Sequence, residues 1–318
     1  MEKAPFFENV CDGPEGGSAY WLTTADGLRI RAGVWPHAGE TKSTGQTKGT
    51  VFILPGRTEC VEKYGRAATD LAQRGYASLA IDWRGQGIAD RMLADRSIGH
   101  VEHFDDYQLD LAAVLNMARD LDLPKPWFMI GHSMGGAIGL RALLEGAPFE
   151  AASFSAPMWG IGLTSVQKVM LQFLAPILAL FNLDRQRAPG TKSETYMMGQ
   201  DFEGNTLTSD ANMYAYMRAQ VAAEPSLGLG GPSTRWVRES IAENTDIDTF
   251  ASPDVPILCF LGMNEAIVNT DAVRARMARW PRGELIEVPK AQHEIPMEVP
   301  ETRKQFFDRS CALFDANL

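Results

Sequence analysis

None of the four cysteines, Cys11, Cys60, Cys259 and Cys311, stands in a C-x-x-C pair. That removes the spacing used by zinc and dithiol redox sites and leaves buried free thiols as the expectation. Basic charge is in deficit: 30 Lys and Arg against 40 Asp and Glu give a net charge of -10. Such a balance repels phosphate backbones, so no nucleic-acid partner is expected. No apolar run reaches the roughly 20 residues that span a bilayer. The most apolar one, "VMLQFLAPILALF" at 169–181, is interrupted by Gln172 and Pro176, a stretch suited at most to lying against lipid. The first residues, "MEKAPFFENVCDG", carry no basic segment followed by an apolar one; no secretory signal is expected, and a cytoplasmic location follows. Internal repeats and low-complexity tracts are missing, and "LGLGGPS" near 230 fails G-x-G-x-x-G because Ser233 takes the last position.

What remains is a chain of 318 residues, 45% of them hydrophobic, long enough to bury a full core. From 20 to 155, short β-rich runs alternate with helix-like segments, the signature of a mostly parallel sheet with helices on both faces. Strands are expected at "YWLTT", "LRIRAGVW", "GTVFILPG", "ASLAID", "PWFMIG" and "AASFSAP". The first two, joined through "ADG", form an antiparallel hairpin, since Asp-Gly tolerates the positive φ of a tight turn. The later ones are separated by helical patterns such as "VEKYGRAATDLAQRG" and "FDDYQLDLAAVLNMARDL" and become parallel neighbours. Residues 157–245 are rich in Met, Leu and Gly and broken by Pro176, Pro189, Pro225 and Pro232, which suggests an inserted helical lid. Strands resume at "VPILCFLG" and "ELIEVPK". The expected organisation is therefore a core in two parts, 1–156 and 246–318, around the 157–245 insertion.

The stretch "WFMIGHSMGGAIG" places Ser133 in G-x-S-x-G, between an apolar strand and an amphipathic run. A nucleophile held on a strand-to-helix bend needs that order, with glycines where side chains would collide. The pentapeptide alone arises by chance roughly once in ten chains of this length, so its context carries the weight. A serine hydroxyl needs a base and a carboxylate to orient it. Of the five histidines, His37 lies in an early loop, His100 and His103 precede the serine, and His132 adjoins it on the turn. His293, in "KAQHEIP" after the last strand, stands in the remaining suitable position. Glu265, just past the strand in "ILCFLGMNEAIV", is the preferred acid, with Asp271 as its rival or as a helix N-terminal charge. The order Ser, acid, His is that of α/β-hydrolases. Backbone amides of Met134 and Arg57 are the candidate oxyanion donors.

The segments "LPGRTECVEKYG", "AIDWRGQGIADR", "GHVEHFDDYQLDL", "IGHSMGG" and "FEGNTLTSD" resemble the bacterial lysophospholipase and monoacylglycerol lipase group of α/β-hydrolases, from about residue 18 to the C-terminus. The resemblance implies Ser133 as nucleophile, Glu265 as acid, His293 as base and Arg57 as an oxyanion donor. Two positions depart from the group: Pro55 replaces a common His, leaving the amide donor intact, and Glu265 replaces a common Asp, keeping the charge. Asp82, Arg84, Gly85 and Gly87 of "DWRGQG" are expected to shape a loop beside the site through glycine bends and a buried ion pair. No metal or organic cofactor is implied, because the triad needs none. The expected substrate is a small ester or monoacyl lipid, met in solution or through transient contact of the lid with a membrane surface. Met158, Trp159 and Met213 are expected to touch it, within a wider set of Met170, Phe173, Phe181, Met197, Met198 and Met217. Two other functions are weighed: an amidase or aminopeptidase, with Glu59, Glu62 and Glu203 as candidates to receive a free amine, and a non-enzymatic scaffold, disfavoured because all three triad members are present.

Overall fold

A computed structural model describes residues 1–36, 47–162, 180–181 and 183–318. His37, Met170 and Phe173, and most of the apolar stretch at 169–181, lie outside the described residues. Among the described residues, nine strands form one sheet: β1 (Lys3–Ala4), β2 (Ser18–Thr23), β3 (Arg29–Trp35), β4 (Gly49–Leu54), β5 (Tyr76–Asp82), β6 (Trp127–His132), β7 (Ala151–Ser155), β8 (Ile257–Gly262) and β9 (Gly283–Val288). Their order is β1-β2-β3-β5-β4-β6-β7-β8-β9. The first three pairings are antiparallel, and β5 through β9 are joined in parallel.

The expected hairpin is present. Thr23 pairs with Arg29, and Gly27 turns the chain at φ 87°. The parallel strands are continuous apolar runs because both faces of the sheet are covered. Their period of two divides each run: Phe52, Leu54, Trp127, Met129, Cys259 and Leu261 enter one core, with Leu111, Val114 and Ile138 from helices Asp106–Asp120 and Met134–Leu144. Val51, Ile53, Phe128, Ile130, Leu258 and Phe260 enter the other, with Leu71 and Phe314 from helices Gly65–Ala72 and Pro300–Asp315. All four cysteines are free and buried. Between β7 and β8 the described residues hold helices and turns, the longest being Ala211–Ala223 and Thr234–Thr249. The expected boundary at 245 therefore falls inside a helix, one whose Trp236 and Ile247 pack into the first core. Among the described residues, no helix is long and apolar enough to cross a membrane.

Because β4, β6, β8 and β9 run parallel, the chain segments after them leave from one edge. That edge is braced by Arg31 of β3, whose side chain is fully buried. Its guanidinium binds Glu62 at 2.7 and 2.8 Å and Asp82 at 2.8 Å. Asp82 also accepts the Val61 and Ile88 amides. Arg84 is not its partner; it binds Asp110 and Asp26 instead. Gly87, at φ 48°, is required where it stands, since a Cβ there would lie 2.2 Å from the Asp82 carboxyl carbon. Replacing Arg31 with Met leaves two buried carboxylates without a cation. We expect a loss of about 3–5 kcal/mol in urea unfolding; an unchanged midpoint and slope would show that the ion pairs do not brace the fold.

Candidate active site

Ser133 follows β6 directly and adopts φ 49°, ψ -117°, in the left-handed region that a non-glycine residue occupies only under constraint. Two hydrogen bonds supply part of that constraint: its amide donates to the Ser155 carbonyl at 3.0 Å, and its own carbonyl accepts the Met158 amide at 2.8 Å. The flanking glycines are steric necessities. A Cβ at Gly135 would sit 2.0 Å from the Leu54 carbonyl oxygen, and one at Gly136 would sit 2.5 Å from Pro157. The helix start is thereby brought against the end of β4.

His293 and Glu265 come from the loops after β9 and β8, stitched together by the Asn264 amide donating to the Ala291 carbonyl at 2.9 Å. His293 Nδ1 lies 2.7 Å from Glu265 Oε2. A carboxylate only accepts, so Nδ1 carries a proton and Nε2 is the nitrogen placed to act as a base. The other Glu265 oxygen accepts the amides of Ile267 and Val268 at 2.5 and 3.1 Å. Burial opposes the charge on Glu265, but the His293 bond and these amides outweigh it and hold the carboxyl below its ordinary value. Asp271 takes no part: its side chain is 92% exposed and faces Arg274.

The amides of Gly56, Arg57 and Thr58 are sorted by their neighbours. Gly56 donates to Glu59 Oε2 at 2.5 Å and Thr58 to Gln86 Oε1 at 2.6 Å. Among the described residues, the amides of Arg57 and Met134 meet no acceptor.

Beneath Ser133 lies a buried cluster of charges that sequence inspection missed. Lys63 Nζ is 2.6 Å from both Glu59 Oε1 and Glu294 Oε1. His132 directs Nδ1 to the Ser155 carbonyl at 3.1 Å, and its Nε2 faces Glu59 and Glu294 at 3.3 and 3.2 Å. Nδ1 also lies 3.2 Å from the Ser155 hydroxyl, and Nε2 forms no aligned hydrogen bond, so the two carboxylates act on the ring through charge, which favours the imidazolium. Burial disfavours the imidazolium, yet Glu294 and Glu59 overcome it and raise the His132 pKa to about 10. Burial likewise opposes the carboxylates, and Lys63 reverses it, holding Glu294 well below the ordinary range. Glu59, His132 and Glu294 converge closely enough to suggest a cation site. Lys63 already supplies the cation, and the protonated His132 has no lone pair to offer. The signals for this cluster were the i,i+4 spacing of Glu59 and Lys63 and the adjacency of Glu294 to His293. The ring of His132 lies 4.8 Å from that of His293.

Ser133 and His293 line one cavity of about 520 Å³. Its walls include Met158, Ile161, Met197, Leu207, Met217, Val221, Leu227, Trp236, Ile267 and Val268, together with Arg57, Thr58 and Thr234. Of the residues expected to touch substrate, Met158 is among them. Trp159 is not: its indole donates to the Gly136 carbonyl and stacks on Trp280 inside the core. Met213 is not either; it packs in the second core with its sulfur toward Arg66. Phe181 is 69% exposed, and Met198 lies outside the lining. Trp236 was missed, although Ser233, which caps its helix through the Trp236 amide, marks where that helix begins.

A mostly parallel sheet bearing a serine on the bend after a central strand defines an α/β-hydrolase. The chain belongs to the hydrolase family named serine aminopeptidase, S33, whose profile matches residues 45–300. It is 35% identical over 231 residues to lysophospholipase L2 of Escherichia coli, covering 69% of this chain but 64% of that protein's length. It is 25% identical over 284 residues to the monoglyceride lipase of Saccharomyces cerevisiae, covering 85% of this chain and 84% of the relative. Two solved structures share the fold: a soluble variant of the yeast monoglyceride lipase with a substrate analog, at TM-score 0.71 and 23% identity over 93% of this chain and 94% of that one; and a thermostable carboxyl esterase from Bacillus coagulans with glycerol, at TM-score 0.71 and 16% identity over 96% and 99%.

The His132 pKa carries a signed consequence for stability. Raised from 6.5 to about 10 in the folded chain, the imidazolium stabilises fully below pH 6.5, and that contribution is lost as pH rises toward 10. The difference in unfolding free energy between the wild type and His132→Asn is expected to shrink steadily between those two values in urea titrations. A difference that stays flat across the window would mean that His132 is not an imidazolium.

Proposed function

We propose that the chain hydrolyses carboxylic esters through an acyl-enzyme on Ser133, with substrates that carry one medium or long acyl chain, in the manner of a lysophospholipase or monoacylglycerol lipase. The observation that carries this reading is the 2.7 Å contact between His293 and Glu265 beside a largely apolar cavity that Ser133 also lines. The insertion between β7 and β8 serves as the lid in this reading, since its described residues Met197, Leu207, Met217, Val221 and Leu227 furnish apolar wall for an acyl chain.

In the reaction, Ser133 Oγ attacks the acyl carbonyl carbon while His293 Nε2 takes its proton. Glu265 stabilises the imidazolium that forms and holds its orientation. The amides of Arg57 and Met134, both without an acceptor among the described residues, receive the negative charge that develops on the carbonyl oxygen. The ester C–O bond then breaks, and the imidazolium returns the proton to the departing alcohol. Water repeats the sequence on the acyl-enzyme: it gives its proton to His293, and Ser133 leaves with that proton as the fatty acid is released. No step calls for a cofactor.

An aminopeptidase would need an uncompensated carboxylate to meet the free amine. Glu59 is neutralised within its cluster, Glu62 is held by Arg31, and Glu203 is exposed and outside the cavity lining. That disfavours the amidase reading.

Lysophospholipids, monoglycerides and simple esters assayed side by side test the proposal. Turnover is expected to rise from acetyl to longer acyl esters. Ser133→Ala should lower kcat by roughly 10⁴-fold or more, and Glu265→Gln by about 10³ to 10⁴-fold. A strict preference for acetyl esters would remove the lipid reading, and aminoacyl-arylamide turnover exceeding ester turnover would replace it with the amidase.

A further inference from the structure

Burying a guanidinium without a carboxylate is costly, and most buried arginines of this chain avoid it. Arg31 pairs with Glu62 and Asp82, Arg84 with Asp26 and Asp110, and Arg141 with Glu243 and Asp246. Arg57 lines the cavity and meets no carboxylate among the described residues. Its Nη2 donates to the Gly230 carbonyl, and its guanidinium lies 5.4 Å from the centre of the Trp236 ring. Gly99 makes room for it, since a Cβ there would sit 2.6 Å from Nη2. Nε is shielded from solvent and has no partner, and Nη1 has none among the described residues. Arg91 and Arg276 also have no hydrogen-bonded carboxylate, but Arg91 directs its guanidinium to the carbonyls of Gly87 and Arg96, Arg276 directs its own to those of Ile247 and Phe250, and both lie outside the cavity lining. Burial draws the Arg57 pKa down to about 10, which leaves it charged at neutral pH.

The group is thus held in position on three sides while keeping two nitrogens unused. Thr58 and Thr234 line the same cavity, and their hydroxyls make no hydrogen bond among the described residues. The remaining charges near the cavity have bonded partners: Lys63 with Glu59 and Glu294, and Glu265 with His293. We propose that Arg57, with the hydroxyls of Thr58 and Thr234, is a binding subsite for a phosphate group on the alcohol half of the ester. A phosphate offers enough oxygens to meet the unused Nη1 and both hydroxyl donors together, whereas a carboxylate offers two. The alcohol half is indicated because the acyl half belongs against the apolar wall. The main chain of the same residue carries the candidate oxyanion amide, so the side chain begins beside the reacting carbonyl.

The inference rests on the ester-hydrolase reading, and its test separates the two. Three substrates with one common acyl chain, a monoacylglycerol, the corresponding monoacylglycerol phosphate and a lysophosphatidylcholine, are assayed with wild type, Arg57→Met and Arg57→Lys in the same mixed micelles. The ratio of kcat/KM for the phosphate-bearing substrates to that for the neutral one divides out any general effect of the substitution. It is expected to fall about 10- to 100-fold in Arg57→Met, chiefly through KM, and to recover in part in Arg57→Lys. Calorimetric titration with glycerol 3-phosphate should show binding to wild type that is weakened by the same substitution, with glycerol as the blank. Equal ratios in wild type and Arg57→Met would overturn the subsite while leaving the hydrolase reading intact. Glycerol 3-phosphate binding that depends on Arg57, in a protein that turns over none of the esters, would retain the subsite and overturn the hydrolase.

Discussion

The site depends on one backbone bend. Ser133 sits at a positive φ because the strand before it and the helix after it each pack where their glycines allow, and because Ser155 and Met158 hold both of its peptide groups. An ordinary turn would direct the hydroxyl elsewhere and separate the helix start from the end of β4. The strain of order 1–3 kcal/mol is sustained by the cores on either side of the sheet. The start of helix Met134–Leu144 lies so close to Leu54 and Pro157 that a Cβ at Gly135 or Gly136 would collide with them.

Charge then ties the loops to that bend. Lys63 stands in the segment after β4, Glu294 in the loop after β9, and His132 at the end of β6, so three separate segments meet in one buried, nearly neutral cluster. Two carboxylates in that position would repel each other and a developing oxyanion alike. With Lys63 and the His132 imidazolium beside them, they instead fix the relative placement of the loop after β4 and the His293 loop. Arg57 contrasts with this arrangement: it is a positioned cation beside the same cavity without a carboxylate partner among the described residues, the feature on which the proposed phosphate subsite rests.

Much of the fold was legible from alternation alone. Continuous apolar runs such as "VFIL" and "WFMI" can be buried on both faces only in a parallel sheet, and "ADG" between two strands makes a hairpin. The loop positions of Ser133, Glu265 and His293 followed from strand ends and chain order. Side-chain direction within the insertion did not. Nothing in composition distinguishes Met158, which faces the cavity, from Met213, which faces the second core, or from Trp159, which fills a gap beside Trp280. The expected boundary at 245 lies within helix Thr234–Thr249, which packs Trp236 and Ile247 into the first core while its first turn presents Trp236 to the cavity, and composition carries no signal for that double role. The charge cluster was invisible because its members are contributed by three distant segments, and only tertiary pairing shows that Glu59 faces Lys63 and not a substrate amine.

The central claim is that Ser133 is an activated nucleophile. Incubating the folded chain with a fluorophosphonate and mapping the adduct by peptide mass spectrometry addresses it without assuming any substrate. The account predicts stoichiometric modification on the peptide containing Ser133. Modification at another serine, or none on protein shown to be folded, would contradict it.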